Sequence, residues 1–293
     1  MGHPPCSGLI SAYDPVSGAG LQYSCEAEQW AGTITVHLSA CTLAPGTAGR
    51  QDAVRDDRDD NGQGRIASRA GFWTALVTTL LTVVSFGMAI ATPPRSGPMC
   101  ALDSCVAYPY IDIVAFFPRD YFWMFPATAL ALVFPLLIAC IHYWARNGTG
   151  PFTLAALATA GMSATLLATD YVIQLTVIQP SVLRGETDGL SLFSQYNPHG
   201  VFIALEVLGY LLMSAALALV MPAFAGRGRL GRALQWLFGA GFASAIVATG
   251  GMAVRYGHDV EYRLEIALIS IAWVTLIVGG ALLTVLFRRT ARA

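Results

Sequence analysis

The sequence predicts an all-α, polytopic integral membrane protein: a helical bundle with six transmembrane helices. Composition is the first reason. Only 12% of residues are charged and 55% are hydrophobic, whereas a soluble domain carries about 25% charged residues. The second reason is length. Beyond residue 65 the chain divides into apolar runs near 71–92, 121–144, 151–178, 198–224, 233–254 and 263–287, each close to or above the roughly 20 residues needed to cross a bilayer.

Residues 1–64 belong to a different physical class. They carry three Arg against eight acidic residues, a net of -5, while 65–293 carry fourteen Arg against ten acids, a net of +4. Gly, Pro, Ser and Ala are scattered among Cys6, Cys25 and Cys41, and Gln51 to Asn61 is almost wholly polar. The run Thr33 to Leu38 could form one short strand, but no partner strand is obvious. Such a segment cannot bury enough apolar surface to offset its ordering entropy. A disordered tail is expected, or a start codon assigned too far upstream. The three Cys match no zinc spacing, so no metal site is expected there.

Arg65 and Arg69 precede the first apolar run, which ends Ala89-Ile90-Ala91-Thr92-Pro93. Ala-x-Ala is also the pattern of a signal-peptidase site, which would cut after Ala91. The run exceeds the about 7–15 residues of a signal core, so a retained helix is expected. The next connection holds Cys100 and Cys105 amid five prolines, and a disulfide between them is expected on an oxidising side. Within it, Tyr108 to Pro118 is aromatic and apolar but too short to cross; it is expected to anchor at the interface or fold over the bundle.

Gly150-Pro151 opens the third run, with Pro in the first turn where its missing N–H costs nothing. Asn197-Pro198 repeats the pattern for the fourth, with Asn197 as the expected N-cap. Gly239, Gly241, Gly250 and Gly251 in the fifth run predict close helix packing. Arg placement sets the orientation. With the N-terminus inside, nine Arg flank inner ends and five flank outer ends, which predicts both termini in the cytoplasm. All 17 basic residues are Arg, read as the coding bias of a GC-rich bacterium, so the expected location is the inner membrane.

Chemistry in such a chain is sought at polar groups within the apolar runs, because carboxylates there are costly. Asp170 lies about six residues outward of the middle of the third run, roughly 9 Å at helical rise, and Glu206 lies at a similar depth in the fourth. Gln174 follows Asp170 by four and Tyr210 follows Glu206 by four, so each helix presents two polar groups on one face. Arg255 ends the fifth run and Glu265 begins the sixth, both at the outer side. The expected arrangement is an outward-facing cavity lined by Asp170, Gln174, Glu206 and Tyr210, with Arg255 or Glu265 at its mouth.

Such a cavity would bind or pass an unidentified small solute, coupled to protons at Asp170 or Glu206. The alternatives are a structural or accessory subunit whose polar groups only pack helices, and an enzyme using the paired carboxylates as acid and base. The spans contain no His-Glu-x-x-His, no Gly-x-Ser-x-Gly and no phosphate loop, so the reading leans away from an enzyme and expects no cofactor and no metal. Arg residues sit singly or in short groups at run ends, so the lipid bilayer is an expected partner and nucleic acid is not.

Overall fold

In the computed structural model, six helices among the described residues are long and apolar enough to cross a membrane: Ile66–Ala91, Arg119–Ala145, Gly150–Leu183, Val201–Phe224, Gly228–Tyr256 and Glu261–Thr290. The structure describes residues 8–13, 20–30, 33–39, 47–101, 105–145 and 149–292, with side chains from Ile66 onward. Cys6 and Cys41, the Cys25 and Arg65 side chains, and Arg146 to Gly148 lie outside the described residues. The chain divides into two units, Met1–Asp60 and Asn61–Ala293.

The first unit holds strands β1 (Gly8–Tyr13), β2 (Gly20–Trp30) and β3 (Thr33–Ser39). They pair antiparallel in the order β1-β2-β3. Thr33 to Leu38 lies in β3, and its partner is β2, from Trp30↔Thr33 to Ser24↔Ser39. The partner was written in the sequence: Leu21, Tyr23, Cys25 and Ala27 alternate with Gln22, Ser24, Glu26 and Glu28, a period of two. Paired strands and the disorder expected from composition predict opposite amide-exchange rates over 20–39.

The helices are α1 (Thr47–Ala91), α2 (Met124–Ala145), α3 (Gly150–Ile173), α4 (Gln179–Leu183), α5 (Leu190–Phe193), α6 (Val201–Leu219), α7 (Gly228–Tyr256) and α8 (Glu261–Thr290). A π-helical turn, Gln174–Ile178, joins α3 to α4, so the third span is one long, locally widened helix. Helix α6 sits centrally, packed against α3, α7 and α8, while α2 lies against α3. Half of the apolar window of α6 and of α8 is buried, but only 11% of that of α7.

Small residues let the central helices approach. In α3, Thr153, Ala156, Ala160, Ser163, Ala164 and Leu167 form a buried stripe at helical spacing. Ser163 Oγ donates to the Gly209 carbonyl of α6 at 2.8 Å. A Cβ on Gly209 would sit 2.6 Å from Leu167 Cδ2. Gly209→Val is therefore expected to force α3 and α6 apart at a cost of about 1–3 kcal/mol, read as a lower melting temperature in detergent. An unchanged melting point would show the contact to be slack.

Helix α1 runs antiparallel to α8: Gly71 meets the Phe287 ring, Ala75 and Thr79 meet Gly280, and the Phe86 ring lies 5.6 Å from Trp273. The start of the first span and the end of the last thus share one end of the bundle. The opposite end carries Cys100 and Cys105 and is called the disulfide end below.

Two helix-end expectations are corrected. The fourth span begins at Val201 with Gly200 as N-cap, not at Pro198. Asn197 instead folds its own loop, accepting from the His199 N–H at 3.0 Å and donating to the Ser191 carbonyl at 2.9 Å, as Asn does in turns. Gly241 packs closely on Thr275, but Gly250 and Gly251 face open space because the end of α7 stands clear of its neighbours.

Candidate functional site: a carboxyl cluster behind an aromatic cavity

Three buried carboxyl groups meet near the disulfide end of the bundle. Asp170 on α3, Glu206 on α6 and Glu265 on α8 are 2%, 0% and 8% exposed. Each lies on its helix's buried face: Asp170 continues the small-residue stripe, Glu206 follows Phe202 and Ile203, and Glu265 precedes Leu268, Ala272 and Trp273. The Glu206 and Glu265 carboxyls lie within hydrogen-bonding reach of each other, and Asp170 is near enough for its charge to act on theirs. A hydrogen bond between two carboxyl groups requires a proton on one of them. Among the described residues, no Arg pairs with any of the three.

Two tyrosines complete the network. Tyr171 donates its hydroxyl to Glu206 Oε1 at 2.6 Å, and the Tyr171 and Tyr210 hydroxyls lie 2.7 Å apart. Both rings are fully buried, Tyr171 against Trp123 at 5.4 Å and Tyr210 against Trp273 at 5.8 Å. Asp170 Oδ2, Glu206 Oε2 and Glu265 Oε2 are buried without an N–H or O–H donor. Buried oxygens in that state are costly and mark a place where a proton or a ligand is accommodated.

A cavity of about 310 Å³ adjoins this cluster, between the end of α1, the start of the second span and the first turns of α8. That is at the small end of the range for small-molecule sites, roughly 300–1,000 Å³. Its walls include the aromatic residues Phe86, Trp123, Tyr196, Phe202, Tyr262 and Trp273, and Glu265 supplies a carboxyl. Trp123 and Trp273, 6.4 Å apart, stand between the cavity and the two tyrosines.

A second polar group borders the cavity, and nothing in the sequence pattern singled it out. Arg95 Nε donates to Asp120 Oδ2 at 2.9 Å, with the side chains 8% and 1% exposed. Arg119 Nε donates to Asp120 Oδ1 at 2.9 Å from the surface. The Arg95 guanidinium also lies 4.3 Å from the centre of the Phe116 ring. Tyr196 borders the cavity too. Burial pushes its phenol up from the ordinary value, with the Tyr121 hydroxyl and the Asp120 carboxylate adding to the effect, so it contributes no charge.

The covering loops are tied down from both directions. Ser96 Oγ donates to the Tyr196 carbonyl and lies 2.8 Å from the Tyr262 hydroxyl, which donates to the Gln195 carbonyl at 3.0 Å. Within the segment from Tyr108 to Pro118, Ile113 is wholly buried and the Tyr110 carbonyl accepts from Ser194 Oγ at 3.2 Å, which holds it against the loop after α5. Cys100 and Cys105 form a disulfide in the same loop, their Cα atoms 6.1 Å apart.

The residues singled out from the sequence divide three ways. Asp170, Glu206, Tyr210 and Glu265 come together. Of these only Glu265 borders the cavity, and the other three lie behind its wall. Gln174 shares the buried face of α3 but binds the loop: its Nε2 donates to the Phe193 carbonyl and its Oε1 accepts from the Gln195 N–H at 3.2 Å. Arg255 is not brought to the cluster. It is exposed at the end of α7, its guanidinium 5.5 Å from the Tyr256 ring centre. Tyr171 had one sequence signal, its place beside Asp170.

Gln174→Leu is accordingly expected to speed amide exchange over residues 190–197 and leave exchange in α6 unchanged. Equal rates in the loop would remove Gln174 as its anchor.

No protein-family model matches this chain, and neither a curated protein nor a solved structure shows significant similarity to it.

Proposed function

We propose that this membrane protein binds a small solute in the aromatic cavity, with Glu265 as the polar anchor and the Glu206–Asp170 pair behind it as a proton reserve. One observation carries the reading: Glu265 borders the cavity on one side and lies within hydrogen-bonding reach of Glu206 on the other. A change in what Glu265 contacts in the cavity would thereby alter the proton it shares. The Arg count favours both termini in the cytoplasm, which would turn the cavity outward. Binding followed by passage across the bilayer is the natural extension, since protonatable groups inside spans recur in proton relays.

The test is a thermal-shift screen of small amphiphiles of either charge, on the full chain in lipid nanodiscs. Ser270→Trp, which fills the cavity wall, serves as the control. Compounds that stabilise the wild type and not the blocked variant are expected. Compounds that stabilise both equally, or no stabilising compound at all, would reject the reading.

A structural role for the polar residues is the second reading, favoured by Gln174, whose amide is wholly spent on the loop. On that reading Glu265→Gln changes the melting temperature and no binding measurement.

A further inference from the structure

Resting on the solute-binding reading above, we infer that the solute is an organic cation: a protonated amine or quaternary ammonium whose charge sits against Glu265 and whose apolar groups lie on the tryptophan wall. The charge inventory of the cavity comes first. Arg95 and Asp120 face each other at 2.9 Å and cancel. Tyr196 is neutral. Glu265 is then the acidic group left over, 8% exposed, with Oε2 lacking any donor. Behind it stand two more carboxyls, Glu206 and Asp170, with no Arg paired to them among the described residues. A cation placed against Glu265 favours the ionised carboxyl, so its binding is matched by loss of a proton from this group of acids. Positive charge is what the group selects.

The walls agree with this. Phe86, Trp123, Tyr262 and Trp273 line the same space as Glu265. Aromatic faces carry the negative end of a quadrupole and attract cations within about 6 Å, Trp most strongly. An anion gains no such attraction from a ring face. Among the described lining residues its one counter-charge is Arg95, already engaged by Asp120 and Phe116. Aromatic faces and a buried carboxyl together describe a site for a compact cation with a hydrocarbon body, and the volume of about 310 Å³ admits one of modest size.

The test uses three probes of similar shape: phenyltrimethylammonium, its neutral carbon isostere tert-butylbenzene, and benzoate. Each is titrated calorimetrically into the full chain in nanodiscs, with empty nanodiscs subtracted. Phenyltrimethylammonium is expected to bind at least tenfold more tightly than the other two. Glu265→Gln is expected to erase that preference while the variant still melts cooperatively. Arg255→Gln, remote from the cavity, is expected to leave it unchanged. Equal binding of the isostere, or preference for benzoate, overturns the cation assignment and leaves the solute reading standing. So does silence of all three probes when the amphiphile screen has yielded a cavity-dependent compound. If neither the probes nor the screen gives binding, the solute reading itself fails and the assignment with it.

Discussion

Asp120→Ala is expected to cost about 3–5 kcal/mol, the usual penalty for stranding one member of a buried ion pair. Asp120 is 1% exposed and holds Arg95, itself 8% exposed, at 2.9 Å. Without the carboxylate, the buried guanidinium loses the contact at 2.9 Å that Asp120 supplies. The protein in detergent should melt many degrees lower. Arg119→Ala should change little, under about 1 kcal/mol, because that partner is 67% exposed and its ion pair is screened by water. Replacing both members, as Arg95→Met with Asp120→Leu, should recover much of the loss. An Asp120→Ala protein that melts with the wild type would show that the pair does not hold the loop.

Glu206→Gln is expected to separate binding from proton movement. Glutamine keeps the volume and still offers an oxygen to the Tyr171 hydroxyl, now 2.6 Å from Glu206 Oε1. It removes the acid that, on the proposed reading, shares a proton with Glu265. A cationic probe should bind the variant within a few-fold of the wild type, because Glu265 is intact. In weakly buffered solution the wild type should release protons as the probe binds, and the variant should release none. Equal release from both would place the proton elsewhere, and loss of binding would make Glu206 part of the ligand site.

What the sequence could show was decided by the range of each interaction. Spans are local: length and apolarity suffice, and six helices of the required kind are present. The meeting of Asp170 with Glu206 was legible because consecutive antiparallel helices bring equal depths together. Glu265 was placed at the right depth, but its rotation toward Glu206 was not readable. Gln174 shows the limit of the i, i+4 rule. One turn beyond Asp170, about 5.4 Å along the axis, the neighbour is no longer another helix but the loop ending α5, and the amide went to that backbone. Arg255 followed from depth alone and failed on packing, since the end of α7 stands clear of the bundle. The Arg95–Asp120 pair spans 25 residues of irregular chain, where no periodicity relates one residue to another.

The rim of the cavity has a consequence for how it fills. Ile90 at the end of α1 and Ile266 in the first turns of α8 border it and are 70% and 41% exposed. These side chains belong to helices long and apolar enough to cross a membrane. On the proposed reading, a solute that enters past them comes from the bilayer. Occupancy then follows its concentration among the lipids, and two cations of equal charge will differ by their partition coefficients before any contact with Glu265 is made. Affinities measured in detergent and in nanodiscs should diverge in the same order as that partitioning.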